Sequence, residues 1–346
     1  MTKTAIFRDD LFLEHMKNFD HLESASRLQV IYDELDKPEI ASRFVYPAFK
    51  AAGAEIIELN HRPAYIRKLA ATAGEPFVSL DADTQTSADS YEAACLAVGA
   101  AVTAAKMVVA GEVDNAFCLV RPPGHHAEAN KAMGFCLFNN VALAAQFAIH
   151  ELDLQRVMIV DWDLHHGNGT QHSFYDSEKV LYFSTHQYPC YPGSGASDEI
   201  GRGRGAGYTL NVPLPVGLDD WAFASIYNDL LFSVARQYKP ELIIVSAGYD
   251  IHRDDPLGGM MVTENGFAYM TKVLLDVATE CGSRLMACLE GGYDLNGLKN
   301  GVMATLDEMR GQSILTDKAV MDFTTNFMPI MAMEETRSVA KKFWNL

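Results

Sequence analysis

The sequence predicts an α/β fold in which one mainly parallel sheet carries helices on both faces. Short apolar runs rich in β-type residues alternate with longer segments of helical character, the pattern of strands joined by crossover helices. Each apolar run is followed by glycine together with His, Asp or Tyr. Because parallel strands end at a common edge, these polar residues should converge on one crevice. We therefore expect the functional site at the carboxyl edge of the sheet.

The predicted strands are short apolar runs bounded by glycine or polar turn residues, which is typical of buried strands. The first leads into the proline-rich turn that precedes His125, the second into Asp161, and the third ends at Ser184. The fourth and fifth lead into Gly248 and Gly291. In chain order these strands are Ala116–Val120, Arg156–Val160, Val180–Phe183, Leu242–Val245 and Leu285–Leu289.

Helices are predicted for the longer segments between these runs. The first is apolar enough to raise the question of a membrane span, but it contains Lys106 and a glycine and is flanked by Glu92 and Glu112. These features identify a core helix of a protein without a membrane segment. The predicted helices are Tyr91–Ala110, Asn140–Leu152, Trp221–Tyr238, Glu264–Glu280 and Gly297–Met309.

Composition limits the function classes. The 346 residues, 49% of them hydrophobic, can bury a large core, and no linker or repeat divides them, so we expect one domain. A net charge of −17 argues against direct nucleic-acid binding; it is compatible with a cationic substrate, although ordinary solubility is the favoured explanation. The N-terminus lacks a signal-peptide apolar region, and six scattered cysteines without a CxxC pair indicate buried free thiols. A cytoplasmic location is the expectation.

The segment 161–169, Asp-Trp-Asp-Leu-His-His-Gly-Asn-Gly, is the densest group of functional residue types. On an extended chain, Asp163 and His165 point the same way and could begin a catalytic metal site. A hydrogen-bonded loop is the alternative. Asp250, after another strand, is the best third ligand, with a helix N-cap as its alternative role. Three protein ligands leave one position open, as in catalytic zinc sites.

Proton transfer and oxyanion stabilisation have their own candidates. His125 and His126 follow a rigid Pro-Pro-Gly turn and suit proton transfer near a metal, although they could also be surface loop residues. Tyr293 follows two glycines and could donate to an oxyanion or simply close the core. Serine-nucleophile, phosphate-loop and dinucleotide motifs are missing, so metal-assisted hydrolysis remains as the reaction class.

Five ordered motifs together resemble the zinc-dependent histone deacetylase superfamily, which also holds acetylpolyamine amidohydrolases and acetoin-utilisation proteins and has an arginase-like α/β fold. The resemblance extends from about Leu13 to about Met309, and it implies a single deacetylase domain over 1–346. The motifs are Arg121–His126, Gly134–Asn140, Asp161–Gly169, Ala247–Asp250 with Asp255–Gly258, and Glu290–Tyr293.

The resemblance implies a role for each matching residue. One zinc ion would be held by Asp163, His165 and Asp250, and water activated there would attack an N-acetyl carbonyl. His126 would act as general base and then acid, with His125 as its electrostatic partner. Asp161 would pair with His125, Asn168 with His126, and Tyr293 would polarise the carbonyl. His166 has no implied role, and we expect it to be structural.

Further positions match with less specific motifs. Phe135 and Tyr191 resemble the aromatic walls of an acyl-lysine tunnel, Asp83 a rim aspartate, and Arg27 an arginine near the acetate exit. Gly134 and Leu257 are expected to contact substrate as well. Potassium or sodium sites are implied at two places: Asp161, Asp163, His165, Ser184 and Thr185, and, mostly through backbone oxygens, Phe174, Ser177, Val180 and Tyr208.

Positions at which this chain differs from other members of the family indicate which substrate to expect. Asn168 is the class II form of a position that is aspartate in class I, and Leu257 stands where a polyamine-selective member has glutamate. An acetylated lysine peptide is therefore the expected substrate, and a small acetylated amine is the alternative. A silent scaffold would have a broken metal or tyrosine position, and a binuclear-manganese ureohydrolase would need aspartate at Gly167. Self-association is left open.

Overall fold

The structure, a computed structural model, describes residues 2–325 and 328–346. Its strands are β1 (Thr4–Phe7), β2 (Val78–Ser79), β3 (Gln85–Thr86), β4 (Asn115–Cys118), β5 (Val157–Asp161), β6 (Val180–Gln187), β7 (Thr209–Leu214), β8 (Leu242–Ala247) and β9 (Arg284–Leu289). Seven of them form one sheet in the order β1-β4-β9-β8-β5-β6-β7, and β2 pairs with β3 separately. All pairings in the large sheet are parallel.

The α-helices lie between and after the strands. They are α1 (Leu11–Glu14), α2 (Ser26–Leu35), α3 (Pro38–Ala41), α4 (Ala54–Ile57), α5 (Pro63–Ala70), α6 (Ser90–Val109), α7 (Asn140–His150), α8 (Asn168–Phe174), α9 (Asp220–Ile226), α10 (Phe232–Tyr238), α11 (Glu264–Cys281), α12 (Leu295–Met309), α13 (Asp317–Thr325) and α14 (Met331–Ala340). A π-helical segment, Tyr227–Leu231, joins α9 to α10, and Gly203–Gly205 form a 3-10 turn.

Helices cover both faces of the sheet. One pair, α6 and α7, packs against strands β4, β9, β5 and β8, and a second pair, α11 and α12, reaches β8 and β9 through α11. Every residue of β4, β5 and β8 is buried. Since successive side chains of a strand point to opposite faces, burial of all of them requires cover on both sides. This confirms the predicted fold class.

The predicted strands agree with the structure to within two residues at most ends, with one informative exception. Strand β6 continues to Gln187, so Ser184 and Thr185 lie inside the strand and not after it. The extension exists because Tyr182–Gln187 pair with Thr209–Leu214, and the sequence analysis had not predicted β7. Strand β1 was missed as well. Strands β2 and β3, which form the separate two-stranded sheet, were not predicted either. The missed strands of the large sheet, β1 and β7, lie at its edges, where the apolar signal is short or, in β7, interrupted by Pro213.

The helix predictions omit α1 to α5, α13 and α14, and they differ from the structure at two further places. The segment predicted as one helix from Trp221 to Tyr238 contains the π-helical turn, and α8 begins at Asn168, where only a glycine-rich loop was expected. Helix α6 has the length and composition of a membrane span, but most of it is buried in the protein. That burial agrees with its prediction as a core helix.

Strand register positions the functional loops. Asp161, the last residue of β5, pairs with Ser184 on one side and Ser246 on the other, and Ser246 pairs in turn with Cys288 of β9. The loops after β5, β8 and β9 therefore leave the sheet at nearly the same level. Side chains from all three can reach one point, as expected at the carboxyl edge of a parallel sheet.

The fold generates a prediction at Gly99, where α6 is crossed by an extended segment. Ala52 N donates to Cys95 O at 2.9 Å, and a Cβ built on Gly99 would overlap the carbonyl oxygen of Lys50. Alanine favours a helix over glycine by about 1 kcal/mol. We nevertheless expect Gly99→Ala to lower the free energy of unfolding by about 1–3 kcal/mol, because backbone must move to admit the methyl group.

Urea denaturation followed by circular dichroism measures this change. The matched control is Lys106→Ala on the exposed side of the same helix, which should leave the unfolding free energy within about 0.5 kcal/mol of the parent. A Gly99→Ala variant as stable as the parent would show that the crossing segment is not packed as described.

Candidate active site

The loop after β5 turns sharply and does not stay extended. Asp163 N donates to Asp161 Oδ1 at 3.2 Å, and His165 N donates to Asp163 Oδ1 at 2.9 Å. The extended chain predicted from the sequence at this point is wrong. Each aspartate side chain accepts a hydrogen bond from the backbone N–H two residues later, and this turns the backbone. Asp163 and His165 nevertheless face the same point, as predicted.

Asp163, His165 and Asp250 converge, with one ligand atom from each within 4.8 Å of the others. His165 Nδ1 lies 3.2 Å from both Asp163 Oδ1 and Asp250 Oδ2. The second carboxylate oxygens are held by backbone amides: Gly291 N donates to Asp163 Oδ2 and Leu164 N to Asp250 Oδ1, each at 2.8 Å. Asp250 is thus not a helix N-cap, since Thr263 caps the helix that follows.

The donor set fits a divalent metal ion. Burial and the adjacent Asp163 carboxylate raise the pKa of Asp250, which reflects two negative charges placed together away from water. Although burial lowers the pKa of His165, its hydrogen bonds to Asp163 and Asp250 raise it well above the usual value, so positive charge is strongly favoured at this point. One imidazole nitrogen and two carboxylates are ligands that zinc accepts.

His125 and His126 are both buried, so the surface-loop alternative is wrong. Their ring centroids are 4.0 Å apart. His125 Nδ1 lies 3.1 Å from Asp161 Oδ2, and His126 Nδ1 lies 2.8 Å from Asn168 Oδ1. Each histidine therefore has the partner that the family resemblance implied: Asp161 is the last residue of β5, and Asn168 is the first residue of α8.

These surroundings separate the two histidines electrostatically. Burial lowers the pKa of His125, but the carboxylates of Asp163 and Asp161 outweigh it and raise that pKa to about 10. Burial and the nearby charge of His125 lower the pKa of His126 well below its usual value. At neutral pH one ring is therefore an imidazolium and its neighbour a neutral base, a division typical of acid–base sites.

Tyr293 is held by the loop after β8. Its backbone N donates to Asp255 Oδ2 at 2.6 Å, and Asp255 Oδ1 accepts from Leu257 N at 2.9 Å. Burial raises the pKa of Tyr293 well above its usual value, so the phenol stays protonated and can donate a hydrogen bond. The ring lines a cavity with the histidines, which favours the donor role over simple closure of the core.

A cavity of about 160 Å³ joins these groups to the surface. Asp83 lies in the lining of this cavity, and its Oδ1 accepts a hydrogen bond from Gly134 N at 3.1 Å. Gly134 has a φ of +56°, and a side chain there would strike the ring of His126. All five predicted substrate residues lie in the lining, which comprises Asp83, Pro123, His125, His126, Gly134, Phe135, His165, Tyr191, Leu257, Gly291 and Tyr293.

Arg27 lies behind the cavity and not in its lining. Its Nε and Nη2 donate to Gly292 O and Glu290 O, both at 2.6 Å, so the guanidinium holds the loop that carries Tyr293. Glu23, which the sequence analysis missed, accepts from Arg27 Nη1 at 2.8 Å and from Arg121 Nε at 2.5 Å. Burial raises the pKa of Glu23, but these two arginines outweigh it and lower the value to about 2.

Glu290 is a second missed residue. Its Oε2 accepts from Gly124 N at 2.7 Å, and its Oε1 accepts from Ser246 Oγ at 3.0 Å, so one carboxylate fixes the turn before His125 to the end of β8. Burial raises the pKa of Glu290 to about 7. A glutamate directly after an apolar strand was the available signal, because such a side chain must be buried with partners.

The predicted monovalent-cation residues form two groups. Asp161 and Ser184 are register partners, and Thr185 follows Ser184 in β6 with its hydroxyl beside the Tyr227 phenol. The second group surrounds the start of β6 at the opposite edge of the sheet. There Ser177 N donates to Phe174 O at 2.9 Å, Val180 is the first residue of β6, and Tyr208 directly precedes β7.

His166 supports the loop that carries Tyr191. It is buried, with Nδ1 2.8 Å from Ser194 Oγ and Nε2 2.9 Å from Gln171 Oε1. Both ring nitrogens are thus occupied by groups of the surrounding loop and α8. This placement agrees with the structural role expected for it.

Comparisons with known proteins agree with this geometry. The sequence profile of the histone deacetylase domain matches residues 21–309. The chain is 38% identical over 298 residues to a probable deacetylase of Archaeoglobus fulgidus, covering 85% of this chain and 82% of that protein. It is 38% identical to histone deacetylase 10, chloroplastic, of Oryza sativa subsp. japonica, covering 85% and 71%. A crystal structure of the HDA15 HD domain superposes with a TM-score of 0.90 at 33% identity, covering 99% and 95%.

The Glu23 network generates a stability prediction. Glu23→Gln leaves two buried guanidinium groups without their counter-charge, and breaking a buried ion pair in this way costs about 3–5 kcal/mol. The control is Asp36→Asn, which removes the exposed partner of Arg8 and should cost less than about 1 kcal/mol. Chemical denaturation of both variants tests this, and equal costs would contradict it.

The ion pairs of Glu23 with Arg27 and Arg121 also predict that the stability of the protein depends on pH. Because the pKa of Glu23 is lowered in the folded state from 4.5 to about 2, its stabilisation is complete above about pH 4.5 and is lost as the pH falls toward 2. The stability difference between the parent and Glu23→Gln should therefore shrink below pH 4.5. A difference that stays constant from pH 6 to pH 3 would refute the assignment.

Proposed function

Because the chain belongs to the histone deacetylase family, we propose that it is a zinc-dependent amidohydrolase that removes acetyl or other short acyl groups from acetyl-lysine-like amines. One observation carries the proposal: the Asp163–His165–Asp250 group reaches a cavity of about 160 Å³ through His165, and His125, His126 and Tyr293 line the same cavity. These are the parts that hydrolysis of an unactivated amide requires.

Asp163, His165 and Asp250 would hold the zinc ion. When bound, zinc supplies Lewis-acid chemistry, polarising a carbonyl oxygen and making water more acidic. The protein prepares this position by hydrogen-bonding the outer carboxylate oxygens to Gly291 N and Leu164 N, which leaves the inner oxygens and His165 Nδ1 to face the ion. Fixing ligands from behind in this way is common in metal sites.

His126 would move the protons. With Nδ1 facing Asn168, its Nε2 is left to accept a proton from water and later to give it to the leaving amine. His125, charged beside Asp161, favours negative charge developing on the substrate and keeps His126 neutral. Tyr293 would donate a hydrogen bond from its phenol O–H to the carbonyl oxygen as that oxygen becomes negative.

The walls of the cavity favour a long, narrow substrate. Phe135 and Tyr191 would enclose a methylene chain, while the Asp83 carboxylate at the mouth can accept hydrogen bonds from the N–H groups of a peptide. Leu257 contributes an apolar side chain where a polyamine would need a counter-charge for its second ammonium group. An acetylated lysine peptide is therefore the proposed substrate, and small acetylated amines are the alternative.

We further propose that the enzyme works in the cytoplasm and that potassium or sodium occupies the two groups of oxygen ligands described above. The location is supported by six free cysteines, four of them buried, which suit a reducing compartment. The cation proposal is supported by the family resemblance and, for the first group, by the register pairing of Asp161 with Ser184.

Turnover by purified, zinc-loaded protein tests the substrate proposal. We expect kcat/KM for a fluorogenic acetyl-lysine peptide to exceed that for N-acetylputrescine and N8-acetylspermidine by at least about tenfold, a difference of about 1.4 kcal/mol in transition-state binding. A preference for either polyamine would establish the alternative. No turnover of any of the three would contradict the proposed function.

Tyr293→Phe tests the oxyanion role. Removing a single oxyanion donor typically lowers kcat by about 100- to 1,000-fold, and we expect a loss in that range with unchanged zinc content, since the phenol lies outside the ligand group. Assays of kcat and metal analysis by mass spectrometry provide the two readouts.

Two variants calibrate that result. Tyr46→Phe, which removes a half-exposed phenol on the surface, should leave kcat unchanged. Asp163→Ala should lower zinc content as well as kcat, because it removes a ligand. Normal turnover of Tyr293→Phe would overturn its assignment.

A further inference from the structure

The ring nitrogen of His126 that carries the proton depends on the side chain in contact with its Nδ1, which is Asn168. We propose that Glu128 is a positioning residue that fixes the orientation of the Asn168 side-chain amide, and through it the tautomer of His126. The inference rests on the proposed function for its catalytic meaning, but the tautomer itself is a property of the folded chain.

Asn168 bonds in opposite directions through the two ends of its amide. Its Oδ1 lies 2.8 Å from His126 Nδ1, while its Nδ2 donates to Glu128 Oε1 at 2.5 Å and to His126 O at 3.4 Å. The side chain is almost fully buried, so water cannot replace these partners. Both ends of the amide are thus committed within the protein.

The Glu128 carboxylate determines which atom of the Asn168 amide faces the His126 ring. If the amide were turned over, Asn168 Oδ1 would face Glu128 Oε1, and two acceptors would be in contact where a charge-assisted hydrogen bond now exists. Glu128 therefore keeps Oδ1 toward His126. An oxygen can only accept, so Nδ1 of the neutral ring must carry the proton and Nε2 keeps its lone pair. That is the tautomer a general base needs.

Glu128 is itself held in place from several directions. Its backbone N donates to Lys131 O at 2.9 Å in a short antiparallel bridge. Its carbonyl oxygen accepts from His61 Nδ1 at 2.9 Å, because Nε2 of that ring accepts from Asn139 N. The carboxylate also lies 2.8 Å from Nδ1 of the half-exposed His172. A fixed backbone gives Glu128 a definite position from which to orient Asn168.

His125 shows why this arrangement is specific to an amide partner. Its Nδ1 faces Asp161, a carboxylate whose two oxygens both accept, so turning that group over would change nothing. Asn168 has one acceptor and one donor end, and a wrong orientation would put the proton on Nε2. Glu128 is needed only because position 168 is an asparagine, and this dependence can be tested.

The first experiment measures the tautomer directly. Long-range proton–nitrogen NMR of 15N-histidine-labelled, zinc-loaded protein distinguishes Nδ1–H from Nε2–H, and the His126 signals are identified by their loss in His126→Asn. We expect Nδ1–H in the parent chain and a population of Nε2–H in Glu128→Leu. An unchanged Nδ1–H tautomer in that variant would overturn the proposal.

The second experiment is a double-mutant cycle in deacetylation of the acetyl-lysine peptide. Glu128→Leu should lower kcat by about 10- to 100-fold, the usual cost of losing such a supporting partner, while KM stays within about twofold. In the Asn168→Asp background the partner of His126 becomes symmetrical, so Glu128→Leu should cost nothing further. Equal losses in both backgrounds would mean that Glu128 has only a structural role, and the proposal would fail.

Controls separate orientation from other effects. Glu128→Gln keeps an acceptor for Asn168 Nδ2 and should retain more activity than Glu128→Leu. His172→Gln keeps an N–H donor for the Glu128 carboxylate but removes a ring that can carry a proton, so kcat should stay within about twofold of the parent. A loss as large as that of Glu128→Leu would indicate a proton path to the surface and contradict the positioning role. If the parent protein hydrolyses no acylated amine, the proposed function fails, while the NMR result still decides the tautomer.

Discussion

Concentrated negative charge at the carboxyl edge of the sheet is the constraint on which the site depends. Asp161, Asp163 and Asp250 are fully or almost fully buried there, and Glu290 lies among them. Burial of this many carboxylates is tolerable only with compensating positive charge and hydrogen-bond donors. The site supplies both, through the imidazolium of His125, the backbone amides of neighbouring loops, and a metal ion in the proposed enzyme.

The parallel sheet makes that concentration possible. Register pairing places the ends of β5, β8 and β9 side by side, so each loop offers its first amides and carboxylates to its neighbours. Glu290 after β9 binds the turn before His125, and Asp255 after β8 binds the backbone of Tyr293. Behind them, the buried Glu23 joins Arg27 and Arg121 to the same loops. Loops from distant parts of the chain thus become one rigid unit.

The sequence predicted the middle of the sheet, most residues of the cavity and the histidine partners Asp161 and Asn168, but not the supporting carboxylates of Glu23, Glu128 and Glu290. Buried strands are visible as apolar runs, and Asp163, His165 and Asp250 follow them directly, so strand position and chemistry point to the same residues. Edge strands β1 and β7 lack that signal. Glu23 and Glu128 act through hydrogen bonds to residues distant in the chain, and no local pattern marks a carboxylate whose partners come from other loops. Such residues require the folded structure.

Two adjacent histidines in one buried turn would titrate alike if burial alone governed them. What separates His125 from His126 is partner chemistry: a carboxylate raises the pKa of the first, while an amide gives the second a hydrogen bond without charge. The charged ring then suppresses protonation of its neighbour. With the Asn168 amide as its partner, His126 stays neutral beside the charged His125. The amide directs the His126 proton to Nδ1 only while the orientation of the amide is fixed.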